Sequence, residues 1–171
     1  TEEIVLHMAK RAVSLARSEN LVYMGGVALN CVANSNLGQV AKNIWIMPNP
    51  GDAGSSIGAV AAHLGTKLKW EGPYLGTNIQ GAWPKEKFLE SLRKGVIFGV
   101  ANGKAEFGPR ALGNRSLLAD PRGTEIKDRV NEIKRRQKFR PFAPVILEEH
   151  VDNYFDMPRG FNNSRYMQVI A

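Results

Sequence analysis

The sequence predicts an α/β fold. Two observations carry that prediction: segments with helical period alternate with short apolar runs, and the first two of those runs are cut off by glycine or proline. The composition agrees. With 171 residues, 43% of them hydrophobic and 23% charged, the chain can bury a core and is neither disordered nor collagen-like. No apolar run approaches the roughly 20 residues of a membrane span, so no membrane partner is expected. The lone Cys31 has no internal disulfide partner, which favours a reducing, cytoplasmic setting. No His/Cys spacing resembles a zinc site. The two ends, TEEIVLHMAK and SRYMQVIA, read as those of a piece of a longer polypeptide.

Taken in order, Thr1 followed by Glu2 and Glu3 predicts a helix start, with acids at its positive end. Ile4, Val5, Met8, Ala12, Leu15 and Ala16 then give that helix one apolar face, ending near Asn20. Residues 21–24 read as a buried strand bounded by Gly25-Gly26, residues 29–42 as a helix, and residues 44–47 as a second strand stopped by Pro48-Asn49-Pro50-Gly51. Small residues from Ala53 to Leu64 predict a closely packed helix. Residues 66–83 have no period and read as a linker. Pro84 then suits the first turn of a further helix. Strands are expected at 96–100, 142–147 and 166–171, a loop at 101–116, and a basic helix at 126–136.

The net charge of +7 is unevenly spread. Residues 1–65 are neutral, whereas residues 101–140 hold eleven Lys and Arg against five acids. A cluster of that kind attracts a nucleotide, a phosphate ester or a nucleic-acid backbone, or is simply a solvated face.

Four strings carry chemistry. In Gly25-Gly26-Val27-Ala28-Leu29-Asn30, glycines between strand and helix permit close backbone approach, and Asn30 can bond a ribose or phosphate. In Gly51-Asp52-Ala53-Gly54-Ser55-Ser56, Asp52 either caps the following helix or ligates a metal. Each string follows a buried strand, so both are expected at the carboxyl edge of one sheet. The third string runs from Gly103 to Ser116 and continues to Arg122. It sets Lys104, Arg110 and Arg115 among glycines, with Asn114 and Ser116, and arginine forks onto phosphate or carboxylate oxygens. The fourth runs from Ile133 to Pro144. There Lys134 and Arg136 can face one site only if the helix breaks near Arg135. Phe139 and Phe142 either stack on a base or join the core, and the strand beside them favours the core.

The strings GGVALNCVAN, GDAGSSIGA, EFGPRALGNRSLLADPR and IKRRQKFRPFAPVILEE, in this order, resemble the O-carbamoyltransferases of the NodU, CmcH and TobZ type. The resemblance runs from about residue 20 to about residue 155 and departs at Lys104, where the family usually carries Arg. It implies the tail of an actin-like ATPase (ribonuclease H-like) transfer domain at 1–65, a linker at 66–83, and a YrdC-like domain at 84–171, truncated at its C-terminus. The YrdC-like unit would make carbamoyl-adenylate from carbamoyl phosphate and ATP, with Mg²⁺. The transfer unit, with a bound iron, would pass the carbamoyl group to a hydroxylated small molecule or sugar.

By the same resemblance, Gly25, Gly26 and Asn30 would hold the carbamoyl-adenylate, and Asp52 would be one metal ligand. The family's other ligands include a His-x-x-x-His pair that does not occur here. Arg110, Asn114, Arg115 and Ser116 are expected on phosphate or carbamoyl groups. Lys104, Lys134, Arg136 and Arg140 are expected on the triphosphate. The rest of the same polypeptide would complete the transfer cleft. Two alternatives stand beside this reading: a YrdC-like adenylate synthase for RNA modification, and a basic nucleic-acid-binding module. GGVALN and GDAGSSIGA weigh against the first. Glycine and proline interleaved with few aromatics weigh against the second, for which salt-sensitive binding without ATP would be the signature.

Overall fold

The computed structural model describes residues 1–171 and is mixed α/β with three two-stranded sheets. The chain divides into two compact units. The first comprises residues 1–73, 108–110 and 146–171; the second comprises 74–107 and 111–145. The segment read as a linker at 66–83 is thus shared between them, and residues 146–171 pack with the first unit.

In the first unit, helix α1 spans Glu2–Ala16 behind Thr1 and ends where Arg17 turns left-handed. Strands β1 (Asn20–Tyr23) and β2 (Asn43–Ile46) pair in parallel, with Asn20 opposite Asn43 and Tyr23 opposite Ile46. Val5 and Ala9 of α1 join Ala28, Ala33, Leu37 and Ile46 in the core, flanked by Leu21, Tyr23 and Ile44. The apolar face expected of α1 is only partly used, because Ile4, Met8 and Leu15 lie outside that stripe and stay exposed. The other face of the sheet is uncovered as well: Val22 and Trp45, opposite each other in the register, are 65% and 46% exposed.

The helix expected over 29–42 does not form as one element, and three short ones cover residues 26–39 instead. These are a 3₁₀ turn at Gly26–Leu29, helix α2 at Cys31–Asn34 and a second 3₁₀ turn at Leu37–Gln39. Asn and Ser side chains here bond to backbone and compete with the helical ladder. Asn34, fully buried, donates to the carbonyls of Ala28 and Gln168 at 2.8 Å each. Helix α3 runs from Asp52 to Leu64 and stops at Gly65.

The strand expected at 166–171 does not form. That segment is held by side chains instead: Gln168 donates to the Ile46 carbonyl at 2.7 Å, and the Ile170 N–H donates to Ser35 Oγ at 2.9 Å. No strand forms at 142–147 either, since Pro141 and Pro144 remove the donors a ladder needs. Short helical turns at Glu148–His150 and α6, Val151–Tyr154, precede the C-terminal segment.

In the second unit, β3 (Asn78–Ile79) pairs antiparallel with β5 (Gly103–Lys104). Strand β4 (Phe98–Ala101) pairs antiparallel with β6 (Arg115–Leu118). Helix α4, Lys85–Arg93, follows Pro84 as expected, and Phe88 stacks between Trp83 and Phe98 with ring centroids 5.2 and 5.1 Å apart. Helix α5 covers Ile126–Ile133 and buries Val130 and Asn131. No helix is long and apolar enough to cross a membrane.

Candidate functional site

Two clusters of the expected residues take shape, one in each unit. In the first unit both glycine strings do lie at the carboxyl edge of the β1–β2 pair, because the two strands run in parallel. Gly25, at φ 101°, occupies a conformation that side chains resist, and its N–H donates to the Pro50 carbonyl at 2.8 Å. That bond ties the turn after β1 to the turn after β2. Gly26 is exposed in the same turn. Asn30 caps α2, its Oδ1 accepting from the Ala33 N–H at 3.1 Å, so its oxygen is committed locally.

Gly51, not Asp52, is the N-cap of α3, and Asp52 is an exposed acid in the first turn. Of the two readings of Asp52, the capping one is therefore not realised. Nor do three His, Cys, Asp or Glu side chains gather anywhere to hold a metal, so the residues present do not by themselves build an iron centre around Asp52. Gly54 presses against the turn before α3, where an added Cβ would stand 1.8 Å from the Asn49 carbonyl oxygen. Asn49 is itself buried, and its Nδ2 has no partner.

Arg110 also belongs to this unit. It donates from Nη2 to the Leu29 carbonyl at 3.0 Å, while Gly108 packs against Asn49. Sequence reasoning grouped Arg110 with Asn114, Arg115 and Ser116; the structure sets it on the Gly25–Asn30 turn.

In the second unit, the remaining residues of the third string fold around one carboxylate. Glu106 Oε1 accepts from the N–H groups of Leu112 (2.7 Å), Asn114 (2.9 Å) and Arg115 (3.3 Å). Burial works against its ionisation, but these bonds and one from its own N–H hold the carboxyl below its ordinary range. Around this clamp, Asn114 Nδ2 donates to the Lys104 carbonyl at 2.7 Å, and Ser116 Oγ accepts from the Gly113 N–H at 2.9 Å. The Arg115 guanidinium is taken up by carbonyls, with bonds of 3.1 Å to Asn102, 2.7 Å to Asn114 and 2.9 Å to Thr77. It builds the loop from inside. Lys104 is the exposed residue of strand β5. Beyond the loop, Arg122 forks onto Asp120 and holds that carboxyl at about 2.

The fourth string does break near Arg135. Helix α5 ends at Ile133, and Arg135 turns to φ 50°. Buried Asn131 then organises the turn. Its Nδ2 donates to the carbonyls of Lys138 (3.1 Å) and Arg140 (3.0 Å), and its Oδ1 accepts from Arg136 Nε. Arg136 also lies over the Phe142 ring, 4.5 Å from the centroid. The turn opens a cavity of about 530 Å³ lined by Glu132, Arg135, Arg136, Gln137, Lys138 and Arg140. Arg136 and Arg140 are thus brought together there, whereas the exposed Lys134 is outside the lining. Phe139 and Phe142 are exposed rather than in the core, Phe139 at 77%. Glu106, Asn131 and Asn49 were not singled out from sequence. The only available signal was a polar residue on the apolar side of a helix, at Asn131, or beside a glycine turn, at Glu106 and Asn49.

Both clusters fall within stretches that match known proteins. The family model for the carbamoyltransferase N-terminus matches residues 1–61, and that for the carbamoyltransferase C-terminus matches residues 89–171. An uncharacterised protein of Synechocystis sp. is 38% identical over 205 aligned residues, covering 100% of this chain and 33% of its own length. Nodulation protein NolO of Bradyrhizobium diazoefficiens is 35% identical, covering 99% of this chain and 36% of its own length. Nodulation protein U of the same organism is 36% identical, with 90% and 30% covered. The chain therefore spans about a third of the length of the curated relatives it matches.

Proposed function

Because this chain belongs to the carbamoyltransferase family, we propose that it supplies the adenylating site, and part of the transfer site, of an O-carbamoyltransferase. In this reading carbamoyl phosphate, ATP and one water give carbamoyl-adenylate, phosphate and pyrophosphate. Water displaces phosphate from carbamoyl phosphate and leaves carbamate; a carbamate oxygen then bonds to the α-phosphorus, and pyrophosphate leaves with the electron pair of the broken P–O bond. An acceptor hydroxyl then bonds to the carbamoyl carbon, AMP departs, and the hydroxyl proton passes to a base. The transfer half falls to the actin-like fold over residues 1–65, and the adenylating half to the YrdC-like fold over residues 84–171, joined through 66–83.

The observation that carries the proposal is the arginine-lined cavity after α5, with Arg135, Arg136, Lys138 and Arg140 around about 530 Å³. ATP and carbamoyl phosphate are both polyanions, and their repulsion must be offset before attack is possible. Fixed cations do that by positioning and charge stabilisation, with little reorganisation during the reaction. The Arg136 guanidinium is pre-set by Asn131 and Phe142, and Asn131 fixes the backbone of Arg140 through its carbonyl. Lys134 and Lys104 carry their ammonium groups on exposed side chains that can swing onto a bound triphosphate. Mg²⁺ would accompany ATP and supply charge neutralisation.

On the transfer side, Gly25, Gly26 and Asn30 present the turn that would receive the adenylate, with Arg110 beside it on Leu29. An iron would need ligands beyond Asp52.

The test uses the complete enzyme. Lys134→Ala and Arg140→Ala should abolish pyrophosphate release that depends on carbamoyl phosphate, while transfer from supplied carbamoyl-adenylate survives. Equal loss of both steps would overturn the division of labour. Pyrophosphate release unchanged in both variants would remove the basic turn from the adenylating site.

A further inference from the structure

The loop that carries the third string is closed by a side chain given no part in the proposed reaction. From its geometry we infer that Glu106 is the positioning residue of the loop from Gly103 to Ser116, an inference that rests on the adenylation reading above and on the expectation that Asn114, Arg115 and Ser116 of this loop serve that step. Backbone N–H groups that converge from a tight turn form a concavity that ordinarily receives an anion. Here the N–H groups of Leu112, Asn114 and Arg115 converge on one oxygen, Glu106 Oε1, at 2.7, 2.9 and 3.3 Å. The chain thereby fills the concavity with its own carboxylate and leaves no vacancy there for substrate phosphate.

Two consequences follow from the spacing. The bond from Leu112 to Glu106 closes the five intervening residues, 107–111, into a ring, and Arg110 lies on that ring. The bonds from Asn114 and Arg115 fix the backbone at the positions whose side chains bind Lys104, Asn102, Gly103 and Thr77 carbonyls. Gly113, between the bonded amides, sits at φ 110° and gives its own N–H to Ser116 Oγ. One carboxylate thus sets the register of Asn114, Arg115 and Ser116 together. Bonds to an ionised acceptor are roughly twice as strong as neutral ones, which suits a single group holding three amides.

Removing the clamp should displace the loop without removing any group that touches substrate, and a displacement of about 1 Å typically costs about 10²-fold in rate. In the complete enzyme, Glu106→Ala and Glu106→Gln separate the possibilities. Gln keeps a carbonyl acceptor at the same place. Expected for Glu106→Ala is a fall in kcat for pyrophosphate release of about 10²-fold, with KM for ATP changed only slightly. Expected for Glu106→Gln is recovery of most of that loss. Amide hydrogen exchange at Leu112, Asn114 and Arg115 should quicken in the Ala variant and return toward wild type in the Gln variant.

Unchanged exchange in Glu106→Ala overturns the clamp. Quickened exchange with an unchanged kcat overturns the positioning role and leaves a structural one. If Glu106→Ala does not fold, the Gln variant decides: wild-type exchange and a rate near wild type support the clamp, and a rate as low as that of an inactive enzyme overturns it. A wild-type enzyme that releases no pyrophosphate overturns the adenylation reading, and the catalytic half of this inference with it. The exchange data still decide the clamp.

Discussion

Replacing Asn131 by Ala tests how the basic turn is built. Asn131 is fully buried and makes three hydrogen bonds, two from Nδ2 to carbonyls and one from the Arg136 guanidinium to Oδ1. A neutral bond nets about 1 kcal/mol and one to a charged group about 1.5–3 kcal/mol, so the three together are worth about 3.5–5 kcal/mol. The two carbonyl bonds are only part-buried, so water can compensate some of their loss, which lowers the expected cost to about 2–4 kcal/mol. Urea denaturation should read it, with Trp83 fluorescence reporting on its stack with Phe88. Asn131→Asp sharpens the test. A carboxylate keeps the Arg136 partner but sets an acceptor against two carbonyl oxygens, so it should be no more stable than the Ala variant. A loss under about 1 kcal/mol for Ala, or an Asp variant as stable as wild type, would refute the idea that this amide sets the turn.

Other perturbations test other parts of the molecule. Gly54→Ala puts a methyl carbon 1.8 Å from the Asn49 carbonyl, and the overpacking cost of about 1–3 kcal/mol should outweigh the helical gain; a thermal melt showing stabilisation would contradict the contact. Glu106 has a folded pKa below its unfolded one, so its contribution to stability is complete above the ordinary carboxylate range and is lost as pH falls through the lower folded value; Glu106→Gln should flatten the acid side of a Tm-against-pH curve, and an unaltered curve would contradict this. Mg-ATP with carbamoyl phosphate, at about 100 times its Kd, should stabilise the protein by about 2.7 kcal/mol, visible as a rise in Tm; single-stranded RNA in place of both should give no such rise.

The parts of this fold that were legible in the sequence are those settled over a few residues. Leu21 to Met24 and Ile44 to Met47 are apolar and cut off by Gly or Pro, and β1 and β2 lie there within a residue of the reading. α1 and α3 were legible from period and from Gly65. What escaped depends on distant partners. β6 looked like loop because Arg115 and Ser116 are polar, and only its pairing with β4 makes it a strand. Asn34, Ser35 and Asn36 lie in a stretch that reads as helix, yet their side chains bond outside it. The site divides in the same way. Glycine turns and the Arg-rich strings announce themselves by composition. Glu106 and Asn131 act on backbone atoms six to nine residues away, and no residue type advertises such a partner.

The uncovered pair Val22 and Trp45 has a consequence for how this protein behaves among copies of itself. The face they form is adhesive, and residues 1–65, which contain it, carry no net charge. The repulsion between molecules comes instead from the cations of residues 66–140. Such repulsion reaches about 10 Å in 0.1 M salt and about 3 Å in 1 M salt. Added salt therefore strips away the charge that keeps molecules apart and leaves the attraction of the bare sheet intact. Concentrated buffers should drive this chain together rather than hold it in solution.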